Sequence, residues 1–513
     1  MLSRVYCAST VGVDARIIDV ETHHTNGMVK FFLVGLPDRA VSESRDRVEA
    51  AIRNTGSFYP LGRITVNLAP ADLPKEGNAF DLPIAVGMLS MSGQLHTDKL
   101  DDTVMLGELS LDGKIRPIKG VLPVAVEAKK KGFKYLVVPK ENGGEAAVVE
   151  GLEVFPFEHI NEVKDWLENR GSMEPLHVNV EQYFSQNGKL NPLDFSDVRG
   201  QENVKRALEI AASGGHNVIM VGPPGSGKTM MARRIPTILP ALTLEEALET
   251  TKVHSVSGIL KSGKALITSR QFRAPHHTVS DVALVGGGSI PMPGEISMAH
   301  NGVLFLDELP EFKRSALEVM RQPLEDGFVS ISRARMSVTY PSRVMLVASM
   351  NPSPSGDWHD PQDMNGTSSL QMQRYLSKIS GPLLDRIDLH IEVNKVSYEE
   401  LSGKAKGETS DGIRKRVVKA REIQSSRFMG MKGVYSNAQM STRMVRKVCK
   451  LDDASSQILK KAITSLGLSA RAYDRILKVS RTIADLDHSE NIKSNHVAEA
   501  IQYRSLDREG WLG

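Results

Sequence analysis

Asn217-Val218-Ile219-Met220-Val221-Gly222-Pro223-Pro224-Gly225-Ser226-Gly227-Lys228-Thr229 is the stretch on which the reading of this chain turns. Val218 to Val221 is a four-residue apolar run suited to a buried strand. Gly222, Pro223, Pro224, Gly225, Ser226 and Gly227 form a loop, and Lys228 and Thr229 open a helix. This spacing, G-x-x-x-x-G-K-[S/T], is that of a phosphate-binding loop. Glycines let backbone N–H groups curl around phosphate oxygens without a Cβ clash. A helix N-terminus adds donors and partial positive charge. Lys228 is expected to reach the β- and γ-phosphates of ATP, and Thr229 to ligate Mg²⁺.

A loop of this kind only binds. Hydrolysis also needs an acid to hold the metal and a group to activate water. Val303-Leu304-Phe305-Leu306-Asp307-Glu308 supplies both, as an apolar strand ending in two carboxylates. Ligands of open α/β sheets gather at the carboxyl ends of the strands. Asp307 is assigned to the Mg²⁺ shell, and Glu308 is the expected base that polarises the attacking water.

The chain has 513 residues, 41% hydrophobic and 24% charged, which implies two to four soluble globular domains. No apolar run reaches the roughly 18 residues that would span a bilayer, and no signal-peptide core is evident at the N-terminus. Two cysteines, Cys7 and Cys449, cannot make a disulfide framework or a four-thiolate zinc site. The expectation is a cytoplasmic protein with no membrane contact. Net charge is +3, but residues 396–513 hold 22 Lys and Arg against 14 Asp and Glu. A basic C-terminal module on a mildly acidic body suits a polyanion such as DNA, and equally a solvated helical face.

Residues 1–168 read as an α+β domain. Arg16–Val20, Phe31–Leu36, Arg63–Leu68 and Tyr135–Pro139 are expected strands, Val41–Thr55, Ile84–Leu89 and Val121–Lys130 helices, and Val104–Ile115 a hairpin. Residues 169–191 read as a linker. The ATPase domain covers 192–395 and a helical C-terminal lid 396–513.

Between the two nucleotide motifs lies Phe272-Arg273-Ala274-Pro275-His276-His277-Thr278-Val279-Ser280, followed by Gly286, Gly287 and Gly288. The glycines suggest a mobile loop. Adjacent histidines in an extended chain point to opposite sides, which argues against a metal site. Phe328–Ile331 and Ser337–Tyr340 predict a hairpin with Arg333 and Arg335 at its tip, placed to meet DNA phosphates or simply an exposed basic turn. Val344–Asn351 reads as a third buried strand, with Asn351 near the γ-phosphate. Arg386, within Leu384-Asp385-Arg386-Ile387-Asp388, suits a finger entering a neighbouring subunit's ATP site. Ser469 predicts the cap of a helix running to Leu486 with Tyr473, Ile476, Leu477, Ser480, Ile483 and Ala484 on one face. Arg471 at its start is placed to reach back to the γ-phosphate.

Two front-domain stretches, Gly107–Gly120 and Val137–Asn142, resemble the proteolytic domain of Lon-type proteases, a fold shared with ribosomal protein S5 domain 2. The resemblance puts Ala79 at the position of the Lon nucleophile and Leu122 at that of its lysine. A nucleophile needs a hydroxyl or thiol and a base, so a non-proteolytic interaction module is expected.

Across nearly the whole length, the chain resembles the magnesium-chelatase-like AAA+ ATPases of the YifB/ComM family. The specific pieces are Phe272–Ser280 with Gly286–Gly288, Pro293–Ile296, Ala299–Gly302, Leu306–Phe312 and Gly381–Leu389. The resemblance implies an α/β P-loop core, an S5-like front domain and an α-helical lid. It implies ATP and Mg²⁺ as ligands and a hexamer acting on single-stranded or branched DNA. ComM members are helicases promoting branch migration in natural transformation. In AAA+ proteins a segment like Asp197–Gln201 packs beside the adenine. The front domain is expected to separate this family from true magnesium-chelatase subunits. One departure is Asn351-Pro352-Ser353-Pro354-Ser355-Gly356, where many relatives carry two cysteines. Without thiolates no zinc-stabilised loop forms there, and 357–367 is expected to be flexible. The alternatives are a chelatase-type motor, a protease and a protein-remodelling ATPase whose front domain recruits protein partners.

Overall fold

Residues 2–171, 173–186, 192–260, 263–333, 336–356, 369–398, 407–431 and 433–504 are described by the structure, a computed structural model. Arg335 and the 357–367 loop therefore lie outside the described residues. Contacts divide the chain into two units. The first joins Met1–Gln186, Leu244–Thr268 and Ser332–Tyr340; the second joins Asn187–Thr243, Ser269–Ile331 and Pro341–Gly513.

The first unit is built on a seven-stranded mixed sheet. Its order is Lys30–Val34, Arg63–Ala69, Asp14–Thr25, Leu2–Val11, Thr103–Met105, Tyr135–Pro139 and Glu153–Phe157. Arg63–Ala69 shows why such a segment becomes a strand: Ile64, Val66 and Leu68 are buried, and the residues between them face outward. Leu2–Val11, for which sequence reading names no element, is the central strand and pairs antiparallel with Asp14–Thr25. Thr103–Met105 was expected in a hairpin, but it pairs in parallel with strands of the main sheet. The hairpin is shorter, Glu108–Leu109 against Ile115–Arg116. The expected linker contains a helix, Val180–Gln186. The long helix Leu244–Ser257 joins this unit beside Val121–Lys130, where Gly120 N–H donates to Ser255 O at 3.2 Å.

The second unit carries a five-stranded parallel sheet. Across the sheet run Phe272–Arg273, Val303–Leu306, Met345–Met350, Val218–Val221 and Leu389–Glu392. Alternate side chains feed two cores. Met220, Phe305 and Val347 pack with Ile476, Val479 and Ile483 of the C-terminal helices. Ile219, Leu304 and Leu346 pack on the opposite face with Ile296, Leu317 and Leu383. A sheet covered on both faces reads as continuous apolar runs, which is why its strands were legible. Burying each such side chain contributes roughly 1.5–3 kcal/mol.

Gly286–Gly287 is paired antiparallel with Met292–Pro293, where a free loop was expected. Gly286 sits at φ +112° with the Met292 carbonyl where a Cβ would be, so glycine here permits pairing. Helix Ala470–Leu486 is capped by Ser469, whose Oγ accepts from Ala472 N–H at 3.2 Å. Tyr473 lies off the buried stripe and is 39% exposed, contrary to expectation. Among the described residues no helix is long and apolar enough to cross a membrane.

Candidate nucleotide site

Strand order assembles this site. Met345–Met350 lies between Val218–Val221 and Val303–Leu306, all three parallel, so their carboxyl ends meet. Gly222 follows the first of these strands, and its N–H donates to Met350 O at 3.2 Å. A Cβ on Gly222 would stand 2.1 Å from the Val393 carbonyl oxygen. Gly225 and Gly227 adopt φ of +77° and +89°. Helix Lys228–Ala232 begins directly after Gly227.

Lys228 is buried, and its Nζ donates to the Gly222 and Pro223 carbonyls at 2.6 and 2.9 Å and to Asn351 Oδ1 at 3.4 Å. Burial lowers its pKa, opposed by the charges of Asp307 and Glu308. Thr229 Oγ1 donates to Asp307 Oδ2 at 2.8 Å. The other Asp307 oxygen accepts from the Ser349 hydroxyl, which also receives the Glu308 N–H at 3.3 Å. Glu308 itself stands in the left-handed region, φ 54° and ψ 53°, a strained position for a residue with a Cβ. Thr229 and Asp307 present oxygen donors, the ligand type that Mg²⁺ takes. The glycine loop leaves a cradle that side chains would fill. The residues fit a Mg²⁺–nucleotide.

The remaining expected site residues are dispersed. Arg386 Nη1 donates to Pro382 O at 2.6 Å, and its Nη2 pairs with Glu325. Arg471 pairs with Asp385 at 3.0 Å and is largely exposed. Arg333 is exposed near the hairpin tip. Ser353 and Ser355 hydrogen-bond to each other at 2.8 Å.

Three contacting residues were missed by sequence reading. Ser349 lies two positions before Asn351 on one strand, so the pair shares a face. Tyr375 donates its hydroxyl to Asn351 O at 3.1 Å. His277 Nδ1 lies 3.9 Å from Glu308 Oε2. The two histidines do not point apart as expected: their rings are 4.1 Å apart, because Val279 N–H bonds to His276 O and the chain turns there.

In the first unit, the Lon dyad positions hold packing residues. Leu122 is fully buried, and its backbone N–H donates to Glu145 Oε1 at 2.9 Å. Ala79 O accepts from Gly107 N–H at 3.0 Å.

Comparison with known proteins agrees with this geometry. Models described as subunit ChlI of Mg-chelatase, as magnesium chelatase subunit ChlI and as that subunit's C-terminal part match residues 20–142, 194–401 and 407–504. Competence protein ComM of Haemophilus influenzae is 47% identical over 511 residues, 99% of this chain and 98% of that protein. The chain belongs to the YifB/ComM family of magnesium-chelatase-like AAA+ proteins. Within the same family, Escherichia coli YifB is 45% identical over 509 residues, 99% of this chain and 98% of its own length. Lon protease 2 of Bacillus subtilis is 35% identical over 163 residues, 29% of this chain and 28% of that protein.

Proposed function

We propose that this chain is a Mg²⁺-dependent ATPase that works as a hexameric ring on single-stranded or branched DNA, as a ComM-like helicase promoting branch migration. The observation that carries the ATPase reading is the convergence of Lys228, Thr229, Asp307 and Asn351 at three adjacent strand ends. Lys228 would exchange its loop carbonyls for β- and γ-phosphate oxygens. Thr229 and Asp307 would hold Mg²⁺, which supplies charge neutralisation on the phosphates. Glu308 accepts a proton from the attacking water, and Asn351 orients that water. Arg386 of one subunit stabilises charge on the neighbour's γ-phosphate, so head-to-tail contact closes a ring.

DNA as the substrate is supported by 47% identity to a competence protein and by the basic C-terminal residues. Arg333, with Arg335, is proposed as a phosphate contact. The setting is taken as the cytoplasm, and the front unit as a non-proteolytic interaction module.

ATP turnover measured with and without single-stranded and branched DNA tests this reading, and stimulation is expected. No stimulation, with no DNA binding at low salt, would overturn the DNA assignment. The competing reading, a protein-remodelling or chelatase-type motor, is favoured by one observation. The first unit's edge strand Lys30–Val34 leaves Phe32 and Val34 exposed, as are Met28, Val29 and Leu36, a surface suited to pairing with protein.

A further inference from the structure

The segment Asp385–Asp388 is gripped by arginines of the C-terminal region. Arg471 and Arg475 are one turn apart on helix Ala470–Leu486 and so share a face. Arg471 pairs with Asp385 at 3.0 Å, and Arg475 with Asp388 at 2.9 Å. Arg504, beyond the next helix, donates to Ile387 O at 2.5 Å. Arg386 stands between these anchors, and its own backbone carbonyl accepts from Asn217 Nδ2 at 2.9 Å.

The two ion pairs are unequal. Arg471 is 64% exposed, and an exposed pair contributes little. Asp388 is 1% exposed, and Arg475 is ion-paired with its Oδ1 without forming a hydrogen bond. Its other oxygen meets His216 Nδ1 and the Asn217 N–H, both at 3.2 Å. Burial alone would raise this carboxyl's pKa, yet Arg475 and His216 hold it well below the usual range. A buried pair with these partners fixes geometry, and removing one member leaves an uncompensated charge. Arg386 is held differently, by the exposed Glu325 and by Pro382 O, and its buried Nε has no hydrogen-bond partner. Its side chain, 12% exposed, is thus held by contacts separate from those that fix its backbone.

We infer that Arg475, through Asp388, is a positioning residue for Arg386, so that the C-terminal helix of one subunit sets where its arginine is presented to the next. This rests on the proposed action of Arg386 across a subunit interface. A subunit with a displaced C-terminal helix would keep its own phosphate loop but misplace the group it lends, and a misplacement of about 1 Å can cost ~100-fold in rate.

The test is subunit mixing. Arg475→Gln keeps most of the side-chain length and removes the charge. If it folds poorly, the neutral pair Arg475→Gln with Asp388→Asn replaces it. Homomeric variant rings should turn ATP over up to ~100-fold more slowly. Mixed with Lys228→Ala, whose arginine is intact, the variant should regain turnover, because its loop meets a sound neighbour. Mixed with Arg386→Ala, it should regain nothing. Recovery with Arg386→Ala would place Arg475 at its own subunit's nucleotide and overturn the inference. So would recovery with neither partner, or unaltered turnover of the variant alone. The control mixture, Lys228→Ala with Arg386→Ala in confirmed mixed rings, must itself recover. If it does not, action across the interface is wrong and the inference falls with it.

Discussion

Lys228 is the first residue and Leu122 the second of helices that begin alike in the two units. Each helix follows a glycine in the left-handed region, Gly227 at φ +89° and Gly120 at φ +75°, and neither has a side-chain cap. In the second unit the glycine lets a loop curl and leaves an amine against its carbonyls. In the front unit Leu122 is buried among apolar neighbours, and the helix's first turn is satisfied by the Glu145 carboxylate, whose pKa burial raises. One backbone device therefore presents a lysine to a glycine-rich loop in one unit and an apolar side chain to the core in the other. Side chains, not the fold, decide which of the two happens.

The comparison breaks most visibly if charge is removed in the second unit. Arg386→Ala should lower turnover by ~10³-fold, the scale of a lost arginine finger. Unaltered turnover would return Arg386 to a structural role with Glu325.

It sharpens if the missing chemistry is restored in front. Ala79→Ser with Leu122→Lys supplies both dyad groups, yet Leu122 is fully buried. The double variant should lose at least ~3 kcal/mol of stability, from the lost apolar contacts and a buried amine. It should show no peptide or casein cleavage. ATP-dependent cleavage by either the parent or the variant would contradict the packing role.

The smallest expected effect concerns Ser349. Ser349→Ala removes a hydroxyl from Asp307 while leaving both carboxylates. A titration of turnover against Mg²⁺ should show a requirement about 10-fold higher, the usual scale for a group behind a metal ligand. An unchanged titration would make Ser349 incidental.

The second unit's sheet was legible because its strands are buried on both faces and appear as unbroken apolar runs ending in polar residues. Val218–Val221, Val303–Leu306 and Met345–Met350 are all of this kind. The front sheet was legible where one face is wet, as in Arg63–Ala69, and where a short buried apolar run stands out, as in Tyr135–Pro139. Leu2–Val11 escaped because Arg4, Tyr6 and Ser9 interrupt its apolar residues. The phosphate loop and acid pair could be read locally, since each is contiguous in sequence. The partners of Arg386 could not. The neighbouring carboxylates Asp385 and Asp388 are taken by Arg471 and Arg475, and Arg386 turns to Glu325. Contacts that depend on elements 60 to 90 residues away leave no local pattern. His276 and His277 were misplaced because one turn hydrogen bond overrides the alternation of an extended chain.

The central claim is that the site around Lys228 hydrolyses Mg²⁺–ATP with Glu308 as the base. Steady-state turnover and equilibrium ATP binding, measured side by side on the parent chain and Glu308→Gln, test it most directly. The parent should turn over ATP, and the variant should bind it comparably but turn over at least ~100-fold more slowly. Near-parental turnover by Glu308→Gln, or a parent that binds ATP and never hydrolyses it, would contradict the claim.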